Sequence, residues 1–198
     1  MEKSHKIVNA AITYGVIEEK DRNIYTVAVS SLLFSFFTWS TLLLLGVFFQ
    51  KINGCFIFLL FHIPLRIYAG GYHQKTRKKC YVQSLIIFLL LMLCAILSIQ
   101  NWIMLHWMIL IIPVFVAIWA LAPVEAISKP LNIEEREHHK KVARSILVVE
   151  VIVIVLFVLR NSHEYLYFST VSILLVAIEL LLGLIAEKRN NRKNSSEM

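Results

Sequence analysis

The chain has 198 residues, of which 58% are hydrophobic and 17% charged, with a mean hydropathy of +0.69. So much apolar surface exceeds what one water-facing domain can hide, which excludes an ordinary soluble protein and leaves an integral membrane protein. The net charge of +7 and pI near 9.4 would suit nucleic acid, but the cations lie between apolar runs rather than along one face. Membrane topology accounts for them, and no nucleic-acid partner is expected.

Residues 1–25 mix charge with Ile7, Ala10, Ala11, Tyr14 and Ile17 at helical spacing, which predicts an amphipathic helix at the membrane surface. Glu18, Glu19 and Asp21 precede the first apolar core, so the N-terminus does not read as a signal peptide. Residues 26–49 carry no charge over 24 positions, enough at ~1.5 Å per residue to cross a core of ~30 Å. A turn at Lys51, Asn53 and Gly54 leads to a second run, 52–65, of only 14 uncharged residues before Arg66. That span must bury Arg66 in protein, let it snorkel, or end as a re-entrant segment, and Pro64 should kink it.

From Cys80 to Val124 there are 45 residues without Asp, Glu, Lys or Arg, read as two spans divided at Ser98, Gln100 and Asn101. A polar segment, 125–144, precedes a fifth span over 145–159 and a sixth over 165–186. The tail, 187–198, is expected to be disordered. The sequence therefore predicts an all-α polytopic protein: an interfacial segment 1–25, a six-span domain 26–186 and the tail. With both termini cytoplasmic, 17 of the 20 cations fall on the inner side, Lys51 and Arg160 outside it, and Arg66 near the inner end of span two.

Chemistry concentrates in a loop at 66–84. His73 and Cys80 are seven residues apart, Gly70 and Gly71 precede the histidine, and Arg77, Lys78 and Lys79 precede the cysteine. A thiol with an ordinary pKa of about 8.5 becomes a nucleophile when a helix N-terminus or neighbouring cations favour the thiolate, and both are expected at Cys80. His73 is the candidate base. Gln83 and Ser84, one turn on, share the Cys80 face and are candidates to donate to an oxyanion or orient the histidine. The two glycines give the backbone unusual freedom, or leave room for an extended peptide substrate.

The plainer reading makes His73 and Cys80 packing residues at a membrane boundary and the cations simple topology determinants. A metal set of His73, Cys80, His138 and His139 lacks recognisable ligand spacing, so no metal or cofactor is expected. The three cysteines show no disulfide pattern, and Cys55 and Cys94 read as buried small hydrophobes. His62, His106 and His163 have no evident partner.

Arg66, Gly70-Gly71, Tyr72-His73, Cys80 and Ser84 resemble the R-x-x-x-G-G-x-H-x-x-x-x-x-x-C-x-x-x-S pattern of the accessory gene regulator protein B (AgrB) family, membrane endopeptidases of quorum-sensing propeptides. Ala122-Pro123-Val124-Glu125 with Lys129-Pro130-Leu131 is similar to that family's A-P-then-K-P segment, and the resemblance extends over nearly the whole chain. It implies a cysteine endopeptidase in a bacterial cell membrane, acting on an AgrD-like propeptide: Cys80 would form an acyl-thioester and the product would close into a thiolactone or lactone. It also allows a homodimer, although no span carries a G-x-x-x-G motif. In this picture Arg66 pairs with Glu150, Glu179 or both, or else binds a substrate carboxylate. The rival function is a non-enzymatic peptide transporter or membrane adaptor.

Overall fold

The computed structural model describes residues 2–72, 76–97, 102–124 and 132–196. Seven α-helices follow in order: α1 (Glu2–Thr13), α2 (Arg22–Phe48), α3 (Ile52–Ala69), α4 (Arg77–Leu97), α5 (Trp102–Leu121), α6 (Ile133–Leu159) and α7 (His163–Ser196), with a 3-10 turn at Glu19–Asp21. The chain divides into two compact units, Met1–Leu45 and Gly46–Met198. Five helices are long and apolar enough to cross a membrane: α2 with its preceding turn, α3, α4, α6 and α7. In α5, Ile111–Leu121 forms a shorter apolar stretch.

In the first unit, α1 buries Ser4 and Val8, whereas Ile7 of the expected face is 48% exposed and Tyr14 lies beyond the helix end. The period was right for a helix but selected a different face. Along α2 the hydroxyls of Ser31, Thr38 and Thr41 each donate to the carbonyl four residues back, at 2.9–3.0 Å. Such back-bonding satisfies the hydroxyls within a helix that is long and apolar enough to cross a membrane.

Three helices close their C-termini upon themselves. After α1, α2 and α6, an N–H reaches back five residues and its predecessor reaches back three, with Gly15, Gln50 or Asn161 in the left-handed region at φ 51–71°. This double bond satisfies the orphan carbonyls of a helix end locally. The end of α3 is built differently, by other parts of the chain.

The second unit is organised by α7, which packs against α3, α4, α5 and α6. Its buried stripe Ile173, Val176, Ala177 and Leu180 meets Phe61, Leu65 and Ala69 of α3, Ala143, Leu147 and Ile154 of α6, and Ile118 of α5 with Ala122 just after it. These spacings of three and four are those of one helix face. Outward faces are apolar too, as at Leu90 and Leu93 of α4 and Val149, Ile152 and Leu156 of α6, the arrangement suited to lipid rather than water.

Helices α3 and α7 run parallel and in register. Lys51 Nζ lies 2.8 Å from Glu164 Oε2, Ser172 Oγ donates to the Phe58 carbonyl at 3.3 Å, and Arg66 Nε lies 3.0 Å from Glu179 Oε2. The two ion pairs are separated by fifteen residues on each helix, roughly 22 Å along the axis. Gly54 admits the Phe168 ring between them, in the volume a Cβ would take. On the other side, Tyr167 Oη donates to the Leu91 carbonyl at 3.0 Å and Phe88 meets Phe58 edge to face, holding α4 against α7 and α3.

Of the three readings left open for the short second run, burial in protein is the one seen: Arg66 lies inside an 18-residue helix that contains Pro64 and ends at Ala69. Two expected boundaries are corrected. Helix α6 starts at Ile133, about three turns before the apolar run, because Asn132 and Glu135 form a capping box in which the Asn132 N–H donates to Glu135 Oε2 at 3.0 Å. The tail expected to be disordered from 187 continues α7 to Ser196, since Glu187, Lys188 and Arg189 are good helix formers and no Gly or Pro intervenes. The expected break at 98–101 lies outside the described residues.

A Cβ branch at residue 54 tests the α3–α7 register. Gly54→Val should lower the thermal midpoint of the detergent-solubilised protein, in keeping with overpacking costs of about 1–3 kcal/mol. An unchanged midpoint would contradict the seating of Phe168 on Gly54.

Candidate functional site

The expected catalytic loop, 66–84, is mostly helix: residues 66–69 end α3 and residues 77–84 begin α4, leaving 70–76 as the connection. His73 lies outside the described residues; the residues on either side of its segment are held as follows.

The Arg66 side chain is 15% exposed and bends over the end of its own helix. Nε faces Glu179 Oε2 at 3.0 Å, Nη1 donates to the Gly70 carbonyl and Nη2 to the Tyr72 carbonyl. A guanidinium is suited to this because its donors form a rigid planar fork. Of the two carboxylates proposed as partners, Arg66 takes Glu179. Glu150 is 5% exposed on the buried stripe of α6 with Ala143, Leu147 and Ile154, and among the described residues neither of its oxygens meets a hydrogen-bond donor. Every nitrogen of the Arg66 fork is engaged within the chain, which favours a brace over a site for substrate carboxylate.

The backbone from Ala69 to Tyr72 is fixed from three sides. Gly70 donates to the Arg66 carbonyl at 3.1 Å, Gly71 to the Val124 carbonyl at 3.0 Å and Tyr72 to the Glu179 carbonyl at 2.9 Å, while Val124 donates to the Ala69 carbonyl at 2.9 Å. Gly70 and Val124 thus form an isolated parallel β-bridge. Gly70 has φ +73° and Gly71 φ +117°, the left-handed region where side chains are strained. A Cβ on Gly70 would meet the Val124 carbonyl, and one on Gly71 the Arg66 guanidinium and the Glu179 carbonyl. The space beside the two glycines is therefore filled by the protein's own atoms.

Cys80 is reached from the other side. Thr76 caps α4, its Oγ1 accepting from the Lys79 N–H at 3.4 Å, and the Cys80 N–H makes the first full helical bond to the Thr76 carbonyl at 3.1 Å. Cys80 is half-buried and heads the inward stripe of α4, followed by Gln83, Ser84, Ile87, Phe88, Leu91 and Met92. Phe88 meets Phe58, and eight residues from that contact lie Cys80 on α4 and Arg66 on α3, each about 12 Å along its axis. The cysteine and the arginine therefore share one depth. Arg77, Lys78 and Lys79 are exposed to solvent, while Arg66 and Glu179 are buried charges that bear on the Cys80 sulfur.

Three contributors were missed in reading the sequence. His62, one turn before Arg66, stacks on Phe58 and brings Nε2 to 3.9 Å from Glu179 Oε2. Its spacing of four from Arg66 was the available signal. Thr76 was legible as a threonine before a helix. Gly183 gave no sequence signal, yet a Cβ there would stand 2.9 Å from the Tyr72 nitrogen and 3.0 Å from the Gly71 carbonyl carbon. Cys55 is buried as expected, but Cys94 is exposed on the outer face of α4. His138 and His139 lie against Tyr68, with ring centroids 6.5 and 5.3 Å away. Among the described residues no three His, Cys, Asp or Glu side chains converge to hold a metal ion.

Removing one partner of a buried ion pair costs about 3–5 kcal/mol, because the other charge is stranded. Glu179→Ala should therefore reduce the amount of folded protein in membranes. Exchanging the pair, Arg66→Glu with Glu179→Arg, should recover folded protein only in part, since glutamate cannot donate to the Gly70 and Tyr72 carbonyls. Full recovery of folded protein by the exchange would contradict the bracing role.

No curated protein and no solved structure matches the chain at a significant level. A family model described as Accessory gene regulator B matches residues 4–181, nearly the whole chain, including Arg66, the paired glycines, Cys80 and Glu179 of α7. The chain belongs to the accessory gene regulator B family, and with it to the processing of AgrD propeptides in quorum sensing.

Proposed function

We propose that the chain is a membrane cysteine endopeptidase with Cys80 as nucleophile and His73 as general base. The observation that carries this reading is the placement of Cys80 on the inward face of α4, at the depth of the Arg66–Glu179 pair that fixes the backbone up to Tyr72, the residue before His73.

His73 takes the proton from Cys80 Sγ, and the thiolate attacks the scissile carbonyl carbon of the propeptide. Gln83 and Ser84, on the same helix face, are placed to donate to the oxyanion that forms. Collapse breaks the C–N bond, the proton passes from His73 to the leaving amine, and the N-terminal fragment remains as a thioester on Cys80. A cysteine of the fragment then gives up its proton and attacks that thioester, closing a thiolactone and returning Cys80 as a thiol. One thioester is exchanged for another, so cyclisation needs no further energy source. A serine in that place would give a lactone.

Six crossings suit this chemistry, with both termini and the His73–Cys80 segment in the cytoplasm of a bacterial cell. The parallel register of α3 and α7 supports that count, because an odd number of crossings must lie between two parallel spans, and α4, α5 and α6 supply three. The Gly70–Val124 bridge supports it again, since it brings the ends of α3 and α5 to the same side. The apolar outer faces then meet lipid.

Cleavage of the cognate propeptide should disappear in Cys80→Ala and fall by about 10²–10⁴-fold in His73→Ala. Native cleavage by either variant would refute the dyad, and native cleavage with loss only of product outside the cell would favour the transporter.

A further inference from the structure

We propose that Arg66 has a second task besides bracing the connection after α3: its buried charge stabilises the thiolate of Cys80, and Glu179 tempers that effect, so that the ion pair activates the nucleophile. The inference rests on Cys80 being the nucleophile, and it names the charges that act on it.

Two marks on the α3–α4 hairpin set the placement. Arg66 stands three residues before the end of α3 at Ala69, and Cys80 three residues after the start of α4 at Arg77. Deeper in the bundle, Phe58 and Phe88 meet edge to face with ring centroids 5.6 Å apart, eight residues from Arg66 on one helix and from Cys80 on the other. Equal counts from both marks bring the arginine and the cysteine to one level, and each acts electrostatically on the other. The Arg66 and Glu179 side chains are 15% and 17% exposed, so both charges act through protein. At an effective dielectric of about 20 a charge is felt about four times as strongly as across water at the same distance. Arg77, Lys78 and Lys79 are nearer in sequence, but they are exposed, where solvent and salt screen them. Of the buried pair, Arg66 bears on the sulfur more strongly than Glu179 does. The carboxylate faces Nε, whereas the two terminal nitrogens donate to the Gly70 and Tyr72 carbonyls, which carry no net charge. The guanidinium cannot lose its proton, so its effect is constant. Ring closure uses the same charge: when the substrate thiol displaces Cys80, the C–S bond breaks and its electron pair goes to the Cys80 sulfur. As in thiol–disulfide exchange, the better-stabilised thiolate leaves faster.

A brace and an electrostatic partner differ in what they predict. The readout is the pH dependence of Cys80 alkylation by iodoacetamide, measured on the full chain in native membranes by peptide mass spectrometry, which separates Cys80 from Cys55 and Cys94. The other ionisable groups on the elements around the sulfur are His62, one turn before Arg66 on α3, and Arg77, Lys78 and Lys79 at the start of α4. Every variant keeps them, and keeps His73. Glu179→Gln should move the alkylation midpoint to lower pH and Arg66→Gln should move it to higher pH. The double variant strands no charge, and its midpoint should fall between those of the native chain and Arg66→Gln. At neutral pH the rate should change about threefold per pH unit of movement, because about tenfold more thiolate is partly offset by its lower nucleophilicity. If the pair only braces the connection, Arg66→Gln and Glu179→Gln loosen the same contacts and move the profile the same way. That result, or a native profile in both, would overturn the proposal. Should the single variants not reach the membrane, the double variant decides: a midpoint above the native one supports the proposal, and one at or below it overturns it. Alkylation reads the sulfur and not cleavage, so these outcomes stand apart from the endopeptidase reading, which fails instead if Cys80→Ala still cleaves propeptide.

Discussion

The site depends on how one buried cation is satisfied. An arginine in a membrane helix costs about 2.5–3.5 kcal/mol at mid-depth even by the mildest scale, so it persists only with partners. Arg66 finds three within reach of one planar group: a carboxylate on α7 and two carbonyls of the segment that follows its own helix. The electrostatic need of the arginine and the conformational need of the Gly70–Tyr72 backbone are met by the same contacts. Neither would be met alone, because the carbonyls of a turn at the end of a buried helix also require donors.

The surrounding architecture follows from bringing that carboxylate into place. Parallel packing of α3 on α7, pinned by Lys51–Glu164 at one end and Arg66–Glu179 at the other, fixes the rotation and height of both helices. Hydroxyls on α7 reinforce the fit by bonding within the helix or to α3, as Ser169 does to the Tyr165 carbonyl and Ser172 to that of Phe58. Arg144 of α6 donates to the Trp119 carbonyl and stacks over its ring, which holds the end of α5 beside α6 and presents Val124 to Gly70. Cys80 then arrives on the stripe of α4 that faces this assembly.

Much of this was legible in the residues. Charge-free runs located α2, α3, α4 and α7, because length and hydropathy alone decide whether a helix can live in lipid. The shortness of the second run singled out Arg66 but left burial, snorkelling and a re-entrant end open, and burial beside Glu179 is the one seen. Periodicity could not show that Glu179 rather than Glu150 would be that partner, since both sit in apolar helices and only packing distinguishes their faces. It also could not show what the paired glycines avoid. Their clashes are with Val124, Arg66 and Glu179, from three separate elements, and such contacts leave no local pattern. Helix starts were misread where capping, rather than hydropathy, sets the boundary, as at Asn132.

The account makes Cys80 a covalent participant, not merely a residue near a well-braced loop. The most direct test is to mix the full chain in membranes with its propeptide, quench in acid within the first turnover, and map Cys80 by intact-peptide mass spectrometry. The N-terminal propeptide fragment should be found on Cys80 as a thioester that neutral hydroxylamine removes, and it should be absent when His73 is alanine. Cleavage that proceeds at the native rate with Cys80 unmodified throughout, or an acyl group mapped to another residue, would contradict it.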